Sequence, residues 1–270
     1  MLRERCLAFG PAGSGKTSAW LKIAAAHPEM NFHVIDTDDS VNRMLTLGFP
    51  EICGGEPIMH KDKATGLTVV EGGNVKAFTC FTWPDCETAW KKGIRDSIRP
   101  LQDWIVVDFC DSTWDWVQNY YVEEVFHEDV GDYFLEVRKA FSEAKKKPSA
   151  EEMSRSLLDG WTDWRVINKI YQSVINPICY QSHAHVFLTA KAAKLSIQDK
   201  KDVKDKYSQW GLRPEGEKRM AYRVETELLF TSDREGWHLS TIKDRERERH
   251  EYLKLRDFNI QYMGATAGWE

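Results

Sequence analysis

Four apolar residues, Cys6-Leu7-Ala8-Phe9, run directly into Gly10-Pro11-Ala12-Gly13-Ser14-Gly15-Lys16-Thr17, and the stretch that follows, Ser18 to Ala26, reads as a helix. No other segment restricts the fold so tightly. The spelling Gly-x-x-x-x-Gly-Lys-Ser/Thr, set between a strand and a helix, is that of a loop that holds phosphates. Its glycines let successive backbone N–H groups face an anion with no Cβ in the way. The helix points its positive end at the same anion. Lys16 is then expected to reach the outer phosphates, and the Thr17 hydroxyl to bind magnesium. Gly10, Pro11, Ala12, Gly13, Ser14, Gly15, Lys16, Thr17 and Ser18 are the expected nucleotide contacts. The sequence has no guanine-reading Asn-Lys-x-Asp, so ATP with magnesium is the expected ligand.

The rest of the chain alternates strands with helices. Phe32-His33-Val34-Ile35 reads as a second strand closed by Asp36-Thr37-Asp38-Asp39, with a short helix from Ser40 to Leu47. Residues 48–82 hold short β-type runs punctuated by glycine and read as a β-rich insertion on the sheet edge. Asp85 to Ile98 reads as helix. Trp104-Ile105-Val106-Val107 is a continuous apolar run, as expected of a parallel strand buried on both faces, and it ends at Asp108. Residues 111–182 read as mostly helical. Within them Arg138 to Lys147 is a solvated face, and Pro148-Ser149-Ala150-Glu151-Glu152 is a helix start. His185 to Thr189 is another buried strand. Residues 194–219, rich in lysine and aspartate, read as a mobile loop. Val224 to Phe230 and Trp237 to Ile242 pair as a hairpin around the turn at 232–236, and the chain from Met263 onward reads as irregular. This pattern predicts one α/β domain over 1–270, with a largely parallel sheet flanked by helices and ligands bound at the carboxyl ends of the strands.

Composition narrows the partners. A net charge of -5 over 270 residues gives no global basic field, so contact with nucleic acid needs a local patch. No stretch approaches the roughly 20 apolar residues of a membrane span, and Met1 to Arg5 leads into a strand without a signal-peptide apolar region. A cytoplasmic protein without membrane contact is expected. The six cysteines form no Cys-x-x-Cys pair, and the spacing of Cys53, His60, Cys80 and Cys86 fits no standard zinc pattern, so free thiols are expected. Trp114, Trp116, Trp161 and Trp164 fall in stretches read as helical and are expected to pack in the core.

The ends of three further strands carry candidate chemistry. Asp108, at the end of an apolar strand, is the candidate second magnesium ligand; the alternative is a cap for the helix that begins near Asp111. Hydrolysis needs a carboxylate that orients the attacking water. Asp36, Asp38 and Asp39 are the candidates, with Asp38 favoured. Thr189 ends a strand and is placed to sense the terminal phosphate.

Val34-Ile35-Asp36-Thr37-Asp38, Ile105-Val106-Val107-Asp108, Val186-Phe187-Leu188-Thr189 and Ile242-Lys243-Asp244-Arg245 follow the phosphate loop in that order. The set resembles the RecA-like ATPase core, in particular the small phage-encoded RecA-like ATPases of single-strand annealing and recombination. The resemblance implies a RecA-like P-loop core and ATP hydrolysis tied to single-stranded DNA. It also implies a homo-oligomer, a single-strand-binding protein as partner, and the host cytoplasm as location. It assigns Asp38 to catalysis, where the family usually has glutamate, and Thr189 to the polar sensor, with Lys191 nearby. Lys243 and Arg245 match cations that reach a neighbouring subunit's site, which would link hydrolysis to assembly. Residues 194–219 occupy the place of the DNA-binding loop. There Lys194, Lys200, Lys201, Lys204, Lys206, Arg213, Lys218 and Arg219 would meet phosphates, and Tyr207 and Trp210 would stack on bases. Two other classes fit parts of the pattern. One is a terminase-like motor or assembly ATPase. The other is a phosphotransferase of the shikimate-kinase type, in which Asp36 and Asp38 would hold substrate hydroxyls.

Overall fold

The computed structural model describes residues 2–127 and 162–263, together with 129, 131–133, 135, 139 and 142. The solvated helical face at 138–147, for the most part, and the helix start at 148–152 lie outside the described residues, as do Trp161 and the chain after Met263.

Eleven strands form one sheet in the order β11-β10-β9-β1-β7-β6-β2-β5-β4-β3, with β8 paired to β7 off this path. The strands are β1 Arg5–Gly10, β2 Asn31–Asp36, β3 Ile58–Lys61, β4 Thr68–Gly72, β5 Val75–Thr79, β6 Asp103–Asp108, β7 His185–Lys194, β8 Leu212–Pro214, β9 Thr226–Asp233, β10 Gly236–Lys243 and β11 Leu253–Lys254. From β9 through β1, β7, β6 and β2 to β5 every neighbour is parallel. Antiparallel strands close both edges.

The central strands are apolar throughout because both faces are covered. Period-two alternation assigns the sides. Leu7, Phe9, Ile105, Val107, Val186 and Leu188 join one core with the helices Trp83–Thr88, Cys110–Phe126 and Thr162–Asn176. Cys6, Ala8, Val34, Val106 and Phe187 join a second core on the other face, under the helix Lys16–Ala26 and the turns from Leu255 to Met263. This is an α/β arrangement with a largely parallel sheet flanked by helices, as the motif order implies, with the β-rich insertion and the C-terminal β-hairpin in place. Trp114 stacks on Trp164 with ring centroids 6.1 Å apart.

Local signals explain the helix limits. Lys16–Ala26 gives way at His27, just before Pro28, where a helical conformation is disfavoured. Asn74 ties down this end, its amide nitrogen lying within hydrogen-bond reach of the carbonyls of Ala24 in the helix and of His27 and Met30 beyond it. Trp83–Thr88 starts on a capping box between Thr82 and Asp85, with proline in its first turn.

Two expectations need correction. The insertion is not only an edge appendage, since β5 runs parallel to β2 as a member of the sheet and only β3 and β4 extend beyond it. Residues 194–219 are not an irregular loop: they contain a helix, Lys201–Tyr207, and the strand β8. The lysines and aspartates of the segment masked an apolar side. Tyr207 is buried, and Val203, Trp210 and Leu212 pack against the first core.

Candidate functional site

β1, β2, β6 and β7 are parallel, so their carboxyl ends lie at one edge of the sheet. Register sets Asp36 beside Asp108, Ala8 beside Thr189, and Gly10 beside Lys191. The phosphate loop leaves β1 at this edge. Gly10 has no room for a side chain: a Cβ there would stand 2.2 Å from the Phe230 carbonyl oxygen on β9. Gly15 is left-handed, with φ of 92°, and it precedes a helix with no side-chain cap and no acidic residue in its first turn. The free amides and the positive end of that helix are left to an anion.

Lys16 is 4% exposed. Its ammonium donates to the carbonyls of Gly10 at 2.9 Å and Pro11 at 2.8 Å, and Ser14 Oγ lies at 3.5 Å. Burial lowers its pKa, and the charges of Asp108, Asp111 and Asp38 pull it back up. The loop's own carbonyls thus curl around the cation and hold it where outer phosphates would lie.

Asp108 is fully buried. Thr189 Oγ1 donates to its Oδ1 at 2.5 Å, and Trp20 Nε1 donates to its Oδ2 at 3.2 Å. Thr189 Oγ1 in turn accepts the Phe109 N–H at 2.6 Å. The sensor candidate is therefore bound to the Asp108 carboxylate. Asp108 does not cap the following helix, whose N-cap is Phe109 in a left-handed conformation with φ of 63°. Burial raises the pKa of Asp108; hydrogen bonds from Thr189, Trp20 and Thr17 oppose this, while Asp38 adds repulsion. Asp36, also buried, is pushed up to about 8 by desolvation and by the charge of Asp108. Asp108, buried and beside the Thr17 hydroxyl, is the carboxylate that could hold a hard divalent cation such as magnesium together with that hydroxyl.

The three acids after β2 separate by geometry. Asp36 turns into the chain, accepting the Val41 N–H at 3.1 Å and more distant amides from Asp38 and Ser40. Asp39 accepts from Thr79 Oγ1 at 3.3 Å. Asp38 is exposed at the edge, within electrostatic reach of both Lys16 and Asp108.

A cavity of about 860 Å³ opens beside residues 13–18, with Phe49, Phe109, Trp237, Lys254 and Arg256 among its walls. That volume is within the usual range for a small-molecule site. Trp237 was not singled out from the sequence, yet its Nε1 donates to the Gly13 carbonyl at 2.8 Å and its ring packs at Gly15. Trp20, Phe109 and Asp111 also escaped notice. Trp20 had a usable signal, because a buried indole N–H needs an acceptor.

Lys243 and Arg245 do not share this edge. β10 runs antiparallel to β9 and reaches the far edge of the sheet at Lys243. The Lys243 ammonium is taken up by the carbonyls of Ala221 at 3.0 Å and Val224 at 2.5 Å. Arg245 is exposed. In the 194–219 segment, Tyr207 is 5% exposed, packs edge-on against Phe9 at 5.9 Å and donates to Glu227, so it is not a stacking platform. Lys206 pairs with Glu227 and Arg213 with Asp199. Lys194, Lys200, Lys201, Lys218 and Arg219 remain exposed, and Trp210 is half-buried against Tyr252.

All six cysteines are free thiols, and among the described residues there is no metal-type cluster of three or more His, Cys, Asp or Glu. Among those residues no helix is long and apolar enough to cross a membrane. No protein-family model matches the chain, and no curated protein matches it. Among solved structures, the chain is similar to the crystal structure of the RadB recombinase, with a TM-score of 0.45 and 11% identity over 91% of this chain and 83% of that one.

Proposed function

We propose that this chain is a RecA-like ATPase, of the small phage-encoded type, that binds ATP with magnesium at Gly10 to Ser18 and couples its hydrolysis to work on single-stranded DNA in recombination, repair or annealing. The observation that carries the reading is the gathering of Lys16, Thr17, Asp38 and Asp108 at one edge of a parallel sheet. In this assignment Lys16 and the loop amides bind the outer phosphates, and Thr17 and Asp108 hold the metal. Asp38 orients the attacking water, and Thr189 fixes the Asp108 carboxylate. The metal draws charge from the transferring phosphoryl group when bound.

The partner side rests on less. Lys194, Lys200, Lys201, Lys218 and Arg219 supply exposed positive charge beside β8, and Trp210 supplies the one half-buried ring of that segment. Arg245 remains a candidate trans-acting cation of a homo-oligomer; Lys243 would first have to leave its carbonyls. A single-strand-binding protein as partner is carried only by the family resemblance. The shikimate-kinase reading is weakened because the Asp36 carboxylate is spent on backbone amides. The test is ATP turnover with magnesium, with and without single-stranded DNA, with sizing in parallel. Stimulation by DNA that declines steeply with salt is the expected result. Turnover indifferent to DNA but raised by a protein partner would support the motor reading instead.

A further inference from the structure

Lys191 is the first exposed residue of β7, after the buried run from His185 to Ala190, and register sets it beside Gly10 at the root of the phosphate loop. Its backbone N–H donates to Asp111 Oδ1 at 3.0 Å, and its ammonium lies 3.3 Å from Asp111 Oδ2. The carboxylate is 2% exposed and the lysine side chain 56% exposed. The Lys191 carbonyl accepts the Glu215 N–H at 2.9 Å. The main chain is thus clamped on both sides, and only the side chain is free to swing. Its Nζ stands 5.8 Å from the centroid of the Phe109 ring, and Lys16 Nζ stands 5.3 Å from the same centroid. Two cations therefore share one aromatic ring at the mouth of the loop, and only one of them belongs to the motif.

We propose that Lys191 is an in-chain cation for the terminal phosphate: it rests on Asp111 and moves its ammonium onto the γ-phosphoryl oxygens when a triphosphate binds. The inference rests on the nucleotide reading above. A triphosphate with its several charges outcompetes a single carboxylate for one exposed ammonium. Asp111 tolerates the loss because the Lys191 N–H stays on it. A diphosphate offers no γ-oxygens, so Lys191 distinguishes the two ligands. The residue also supplies, within one chain, the charge that Lys243 is too occupied to give.

The experiment measures affinity for adenylyl imidodiphosphate and for ADP, both with magnesium, by calorimetry on the full chain and on Lys191→Ala, Lys191→Gln and Lys191→Arg. The two neutral variants are expected to lose about tenfold or more in triphosphate-analogue affinity, the size of one hydrogen bond to a charged group. Their ADP affinity should stay within about twofold of the parent, and Lys191→Arg should recover much of the loss. Neutral variants that keep the parent's ratio of the two affinities overturn the role of Lys191 alone. So does an equal loss of both ligands, which would mark Lys191 as merely structural. A parent protein that binds neither ligand overturns the nucleotide reading and this inference together.

Discussion

The two edges of the central sheet both collect charge, and they treat it in opposite ways. At the edge where β10 ends, charge is spent internally. Arg247, 8% exposed, meets Glu4 through two nitrogens, at 2.5 Å and 3.2 Å, and lies 3.5 Å from Asp244. Tyr262 donates to Asp244. Asp103 takes the guanidinium and backbone of Arg99 and the Asn31 N–H. Asp103 and Asp244 lie below the usual carboxylate range because these bonds outweigh their burial, although Glu4 is still pushed up by desolvation. At the phosphate-loop edge the balance is reversed. Burial raises both Asp36 and Asp108, with the charge of Asp108 adding at Asp36 and that of Asp38 at Asp108; Lys16 is lowered by burial, and its hydrogen bonds go only to carbonyls and a hydroxyl. One edge pairs its charges within the fold. In the proposed function the other is paired by a polyanion and a cation.

The comparison breaks most visibly at Lys16. Lys16→Ala should lower ATP turnover by roughly a thousandfold or more, the scale of a cation that offsets transition-state charge. The urea midpoint should hardly move, since the ammonium makes no ion pair among the described residues. Turnover near the parent value would remove the functional edge altogether. Arg247→Ala should do the converse. Removing one member of a buried ion network costs about 3–5 kcal/mol, because Glu4 is left charged and alone. Urea unfolding reads that loss, while the folded fraction should bind nucleotide as the parent does. A stable Arg247→Ala protein that cannot bind nucleotide would exchange the roles of the two edges.

The sequence announced the motifs of the phosphate-loop edge locally and left the other edge almost blank, for a physical reason. Phosphate chemistry constrains spacing along the chain, so Gly10 to Thr17 and the acid after Val107 could be read locally. Glu4 and Arg247 are 243 positions apart, and nothing local announces that they meet. The same limit applies to Lys243: only the antiparallel course of β10 shows that it reaches the edge away from the phosphate loop, where two carbonyls take its ammonium. Tyr207 was misjudged because a lysine-rich helix hid its one buried face. Thr189 was singled out as a phosphate sensor, but its bond to Asp108 was not foreseen, since the parallel register that brings β7 between β1 and β6 is a property of the whole sheet.

The smallest expected effect tests whether the completed edge is stabilising in the sense its titration implies. Asp103→Asn keeps the shape but presents an amide to a site built of donors, and should cost about 1–2 kcal/mol at pH 7. The folded pKa of Asp103 lies below its unfolded value of about 3.9, because the His33 ring 3.5 Å away and hydrogen bonds from Arg99 and Asn31 overcome its burial. A depressed carboxylate contributes stability that is complete above the unfolded pKa and is lost as pH falls through the folded one. The gap between parent and variant in urea unfolding, measured without nucleotide, should therefore be constant from neutral pH down to about pH 5 and narrow below about pH 4. Arg99 is nearly half exposed, so salt should shrink the gap further. A gap that widens on acidification would mean that Asp103 is held protonated in the fold, and the contrast between a satisfied edge and an unsatisfied one would fail at its best-defined carboxylate.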